Sequence, residues 1–142
     1  MLIAPNDDAS AHAVSLNPPT LENGAGYHRL IGGSVELGET HREAVVREVR
    51  EELGAQVEEL RYVGVVENIF TVDGDLGHEI VFLYSGRLSP APGTAGATLT
   101  EADGTVLPVV WRPVRDDDQA LPLYPVGANA FLAAVARAPR PR

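Results

Sequence analysis

The sequence predicts an α/β sandwich folded as a single domain over residues 1–142. Three observations carry that expectation: a capped helix over 41–53, two β-rich segments at 60–71 and 78–88 joined by a turn sequence, and a second amphipathic helix over 126–137. In chain order, residues 2–4 form a short strand. Residues 5–26 read as a long polar loop containing Asn6, Asp7, Asp8, His12, Pro18, Pro19 and Asn23, with His12 and His28 expected to be solvent-exposed or locally hydrogen-bonded. Residues 27–31 form a strand that delivers the chain into Gly32 and Gly33. Thr40 with Glu43 three residues on is a capping box, so a helix starts at His41. Gly54 stops it after Leu53, and Ala44, Val45, Val49 and Leu53 recur at three- and four-residue steps to make its buried face. The segments 60–71 and 78–88, rich in Val, Ile, Tyr and Phe, pair as an antiparallel hairpin through VDGDLG. Residues 89–104, rich in Pro, Gly, Ala and Thr, are a loop, and 106–114 is a strand around Trp111 that Pro108 places at an edge or a bulge. Pro125 precedes the last helix, whose apolar stripe is Phe131, Leu132 and Val135, and 138–142 is a frayed tail.

Composition bounds the chemistry. A chain of 142 residues can bury roughly two thirds of its unfolded surface in one core. The net charge of -9 argues against a nucleic-acid polymer or an anionic membrane as partner. A small phosphate ester remains compatible with it, because a bound metal inverts the local potential. There is no cysteine, which excludes a disulfide framework, a thiol nucleophile and a Cys-based zinc site. No apolar run reaches the length of a spanning helix and the apolar start at Met1 is too short for a signal peptide, so a cytoplasmic location is the default expectation.

The stretch from Gly33 to Ala55, GSVELGETHREAVVREVREELGA, carries the candidate chemistry. Glu48, Glu51 and Glu52 share one helical stripe at i, i+3 and i+4, apart from the apolar face. Three carboxylates on adjacent turns repel one another and oppose the few tenths of a kcal/mol, roughly, by which favourable side-chain pairs stabilise a helix. A cation over the stripe resolves that conflict. Hard carboxylate oxygens suit Mg²⁺ or Mn²⁺, and magnesium that keeps several waters and takes phosphate oxygens needs few protein ligands. Arg47, beside Glu48 and one turn from Glu51, can hold these carboxylates in place. Gly32, Gly33 and Gly38 bracket a tight loop where absent side chains let backbone approach a pyrophosphate. A solvated acidic face, the role fitting Glu58 and Glu59, explains neither the glycines nor the arginine.

Gly33, Glu39, Arg47, Glu48, Glu51, Glu52 and Gly54 match the pattern G-x5-E-x7-R-E-U-x-E-E-x-G-U, with U apolar, at every fixed position, and only the final U is soft, being the small Ala55. The stretch resembles the Nudix box. That resemblance covers about residues 27–136 and implies a Nudix-type α/β/α sandwich with a mixed central sheet. It implies an Mg²⁺-dependent hydrolase that cleaves a pyrophosphate linkage in a nucleoside diphosphate joined to another group, with water attacking phosphorus. It also implies that the Gly33 carbonyl, Glu48 and Glu52 are metal ligands, that Glu51 is a ligand or the water-positioning carboxylate, and that Glu39 holds the loop against the helix. The family often takes its general base from outside the box, and the candidates are Glu79 at the mouth of a strand and Glu101 or Asp103 in the loop before Trp111. Arg29, His78 and Phe70 are candidate substrate contacts, with Tyr27, Tyr84 and Tyr124 as further aromatics for stacking on a base. Two departures stand out: Ile31 occupies a position commonly proline, and only residues 2–4 remain of the usual N-terminal strand pair.

Signatures of particular subgroups are missing, Phe70 and Thr71 standing where some would carry a proline or a tyrosine, so the nucleoside diphosphate derivative stays open. A non-catalytic module that senses a nucleotide metabolite is the alternative, and the intact carboxylate set argues against it. A sheet that begins at Leu2 must have its edge covered by residues 5–26 or by another subunit. A symmetric homodimer, through the N-terminal region or 106–114, is the expected assembly.

Overall fold

The computed structural model describes residues 1–115 and 121–139, so the end of the expected tail, 140–142, lies outside the described residues. The elements are β1 (Leu2–Ile3), β2 (Ala11–Asn17), β3 (Tyr27–Leu30), α1 (His41–Leu53), β4 (Gln56–Val72), β5 (Asp75–Ser89), β6 (Ala97–Thr100), β7 (Val106–Pro113), β8 (Leu123–Tyr124), a 3-10 turn at Val126–Ala128 and α2 (Asn129–Arg137). The helix α1 runs where its caps dictate. The Thr40 hydroxyl accepts from the Glu43 N–H at 3.1 Å, and the Glu43 carboxylate accepts from the Thr40 N–H at 2.9 Å. Gly54, left-handed at φ 63°, closes the other end by donating to the Arg50 carbonyl.

Two mixed sheets form, ordered β1-β5-β4 and β6-β7-β2-β3-β8, rather than the one central sheet expected. Successive strand residues point into opposite cores. Leu2 and Ala13 join Val45 and Val49 of α1, while Ile3 and Val14 join Leu132 of α2, so each helix covers one side. The β4–β5 hairpin turns on Asp73 and Gly74, both at positive φ, which is the two-residue Asp-Gly turn that matches strand twist. Its strands are therefore longer than expected and the connection shorter.

Several expectations are corrected. Residues 5–26 are not all loop, because Ala11–Asn17 is the central strand of the five-stranded sheet, bonded to β3 on one side and β7 on the other. A strand buried on both faces gives no clean apolar alternation, and AHAVSLN breaks phase at Ala13–Val14 and buries His12, Ser15 and Asn17 among its apolar residues. Residues 89–104 likewise include β6, which pairs with the start of β7. Pro108 opposes Thr98 of β6 beyond the register with β2, so its missing donor falls where β7 has a single neighbour. The last helix begins at Asn129, after the 3-10 turn, rather than at 126. The N-terminal edge is closed by the chain itself: β1 runs parallel to β5, Leu2 N–H donates to the Ile31 carbonyl at 2.8 Å, and Ala13 N–H donates to the Ala4 carbonyl at 2.9 Å. Residues 2–4 therefore leave no uncovered edge there to recruit a second subunit. What remains of the long loop crosses the hairpin tip, where the Glu22 carboxylate accepts from the N–H groups of Asp73 and Gly74, both at 2.9 Å. Among the described residues no helix is long and apolar enough to cross a membrane.

The largest correction is His12, which is fully buried opposite Arg112 rather than exposed. Neither ring nitrogen has a hydrogen-bond partner among the described residues. Burial, reinforced by Arg112 and His28, pushes its pKa down to about 4. The unfolded chain takes up this proton near the ordinary value while the native state refuses it, so stability is complete above that value and falls as pH drops toward 4. That displacement from the ordinary value corresponds to a loss of about 3 kcal/mol. Urea unfolding across this acid range should show that slope, and His12→Leu should flatten it. An unchanged slope in the variant would place the sensitivity elsewhere.

Candidate active site

The loop before α1 is held by one arginine. Arg47 donates from Nε to Glu39 at 2.7 Å, from Nη1 to Glu48 at 2.9 Å and to Glu51 at 3.1 Å, and from Nη2 to the Ser34 carbonyl at 2.9 Å. One planar fork thereby ties the loop to the carboxylate stripe. Glu39 also accepts from the Glu36 N–H at 2.9 Å, and Arg47 followed by this bond hold its carboxyl below the usual range. Gly32 and Gly38 take positive φ in the same loop.

Gly33 stands against the helix. A Cβ there would lie 2.6 Å from the Glu48 carboxyl carbon, so only glycine lets this backbone approach that carboxylate. Glu52, half-buried, has its pKa pushed up to about 8, chiefly by burial and then by the charges of Glu48 and Glu101. The fold therefore gathers more negative charge than it neutralises. Among the described residues, no three His, Cys, Asp or Glu side chains stand close enough together to hold an ion unaided. Glu51, turned to Arg47 and 56% exposed, is the member that stands off. Glu48, Glu52 and the Gly33 backbone still fit a hard cation that draws its other oxygens from water and phosphate.

Two cavities adjoin this corner, of about 200 and 320 Å³, and both are lined by Arg29 and Glu79. The larger is bounded by Gly33, Ser34 and His41, whose ring stacks on Phe82 at 4.0 Å. The smaller has aromatic walls, Phe70 with Tyr27 and Tyr124, the two tyrosines meeting edge to face at 5.4 Å. Arg29 donates to the Gly32 carbonyl at 3.3 Å, and its charge also bears on Glu52.

A family model described as NUDIX domain matches residues 17–131. This chain belongs to the Nudix family. It is similar to the putative mutator protein MutT4 of Mycobacterium tuberculosis, 34% identical over 84 residues that cover 59% of this chain and 32% of that protein. It is also similar to the NAD-capped RNA hydrolase NudC of Shigella dysenteriae, 35% identical over 95 residues that cover 54% of this chain and 37% of the relative. The chain thus spans about a third of the length of these relatives. Among solved structures, a MutT NUDIX hydrolase from Burkholderia pseudomallei superposes with a TM-score of 0.61 at 24% identity, covering 97% of this chain and 94% of that one. The solution structure of the Escherichia coli ORF135 protein gives 0.51 at 29% identity, covering 94% and 83%. These likenesses agree with the mixed sheets and two helices described above.

In this Nudix chain the fold brings Gly33, Glu48, Glu52 and Arg29 to one corner, with Glu101 close enough to act on Glu52. Glu79 lies inside β5 rather than at its mouth, and Phe70 lines the smaller cavity. His78 is not brought there: it projects from the other face of the hairpin, 54% exposed, and meets Glu67 at 3.0 Å. Asp103 accepts from the Thr105 N–H at 2.9 Å and caps the turn before β7. Tyr84 bonds His41 at 2.6 Å, away from the aromatic cavity. Asn68, which is not among the expected site residues, is buried beside Glu79. The Asp73–Gly74 turn carried the signal, since a two-residue turn there sets the register that pairs Asn68 with Glu79.

Proposed function

We propose that this protein is a metal-dependent nucleotide pyrophosphohydrolase, which cleaves the pyrophosphate linkage of a nucleoside diphosphate joined to another group by water attack on phosphorus. The observation that carries this reading is the surplus of carboxylates, Glu48 against the Gly33 backbone with Glu48 and Glu101 both acting on Glu52, beside cavities lined by a cationic Arg29. Magnesium held by Glu48, Glu52 and the Gly33 backbone would supply charge neutralisation on the pyrophosphate and acidify the attacking water. Arg29 binds a phosphate oxygen. Glu101 accepts the proton of the attacking water, a role its electrostatic link to Glu52 supports better than the position of Glu79. Arg47 keeps Glu48 and the glycine loop in register. The names of the relatives, a mutator protein and an NAD-capped RNA hydrolase, support a nucleotide substrate without selecting one.

The test is a hydrolysis screen over nucleoside triphosphates, nucleotide sugars, ADP-ribose and dinucleoside polyphosphates with Mg²⁺ or Mn²⁺, scored for released phosphate or pyrophosphate and run in heavy-oxygen water. Turnover with the label on a phosphorus product is expected. Nucleotide binding without turnover under every condition would instead identify a sensor module.

A further inference from the structure

A histidine at the edge of the larger cavity is held more firmly than its place in the chain requires. His41 is the first residue of α1, an end that Thr40 and Glu43 already cap. Its ring nonetheless stacks on Phe82, with centroids 4.0 Å apart and planes within 1° of parallel. It also packs at a tilt against Tyr62 and Tyr84, at 6.0 and 5.6 Å, and those two tyrosines meet edge to face at 5.6 Å. One ring nitrogen, Nδ1, lies 2.6 Å from the Tyr84 hydroxyl. A flat ring covered on one face and tied at one nitrogen is fixed in orientation.

The bond to Tyr84 also fixes which nitrogen carries the ring hydrogen. Tyr84 is buried, and among the described residues its hydroxyl has no partner but His41. Burial pushes the Tyr84 phenol up, so it keeps its proton. A buried O–H has to donate, and the acceptor it meets is Nδ1. In the neutral imidazole the hydrogen therefore sits on Nε2. Among the described residues Nε2 has no hydrogen-bond partner, and it is not one of the buried unpaired atoms, so it is open to solvent. Nothing in the packing of α1 uses this donor.

His41 lines the cavity of about 320 Å³ together with Gly33, Ser34, Arg29 and Glu79. With Nδ1 taken, the polar group it can still offer an occupant is Nε2–H. Arg29 brings a cation to the same space, while Glu79, the one carboxylate among the described lining residues, accepts from the Asn68 amide at 3.0 Å. A guanidinium and an N–H donor beside the glycine loop suit an anion with several acceptor oxygens, which is the chemistry of a phosphate. Resting on the hydrolytic reading above, we propose that His41 is a further substrate-binding residue, its Nε2–H donating to a phosphate oxygen of the pyrophosphate, and that Tyr84 positions it by fixing the tautomer.

The variants separate this role from a structural one. His41→Phe keeps a flat ring on Phe82 and removes both nitrogens. It should melt close to the wild type and lower kcat/KM on the best substrate by at least about tenfold, and His41→Gln, whose amide restores a donor, should recover part of that loss. Tyr84→Phe leaves the imidazole but frees its tautomer, so it should cost about threefold alone and nothing further when combined with His41→Phe. A pair that only fastens α1 to β5 would instead lower the melting temperature of both variants while the folded enzymes kept the wild-type kcat/KM, and that result would overturn the proposal. A second readout needs no turnover. In protein carrying heavy nitrogen in its histidines, imidodiphosphate with Mg²⁺ should move the Nε2 resonance of His41 and leave that of the buried His12 in place. An unmoved His41 resonance would likewise overturn the proposal. A moved resonance in a protein that hydrolyses nothing would sink only the hydrolytic reading.

Discussion

Replacing Glu52 by Gln is expected to lower turnover by about two orders of magnitude or more, the scale of losing a principal electrostatic stabiliser. The exchange keeps volume and removes one charge from the carboxylate pair beside Gly33. The fold should survive, because the core face of α1 is Ala44, Val45 and Val49. The metal-free variant should even melt higher above neutral pH. The Glu52 pKa is raised to about 8 in the folded state, so the unfolded chain ionises first and native stability is lost as pH rises toward that value. Gln removes this dependence. Rates near wild type at saturating metal would show that Glu52 is not part of the machinery, and a calorimetric scan separates that outcome from misfolding.

The second large effect is expected at Glu101. If it accepts the proton of the attacking water, Glu101→Gln should reduce kcat by about 10² to 10⁴ with little change in KM, since the lost interaction exists in the transition state. Asp103→Asn is the natural comparison, because that side chain caps the same turn through the Thr105 N–H and points to no role in chemistry. A Glu101→Gln enzyme with unaltered kcat would move the role to Glu51.

The two variants probe residues that became legible in different ways. Spacing places Glu52 with Glu48 and Glu51 on one stripe, since i, i+3 and i+4 carboxylates on one capped helix share a face wherever the helix sits. Glu101 is one of three carboxylates outside the box, with Glu79 and Asp103, that nothing local ranks. Its distinction from Asp103 arises because the short β6 and β7 bring their connection back over α1, and its distinction from Glu79 because β5 turns that side chain toward Asn68. His78 shows the same limit. It is adjacent to Glu79 in sequence and on the opposite face in space, as strand geometry requires once the strand is known to extend through both.

By itself the sequence determined what is encoded within a few turns of chain. The α1 boundaries follow from Thr40, Glu43 and Gly54, the grip of Arg47 follows from its neighbours on one helix, and the hairpin follows from Asp73–Gly74 between β-rich runs. Helix caps, side-chain stripes and two-residue turns are short-range devices, and their energies do not depend on what the rest of the chain does. Only the tertiary structure decided that Ala11–Asn17 is a central strand, that His12 is buried, that Ile31 closes the edge of β1, and that Asn68 and Glu79 line an aromatic cavity. Those outcomes depend on pairing between distant segments and on burial from both sides. A strand covered on two faces carries no clean alternating pattern for sequence to display.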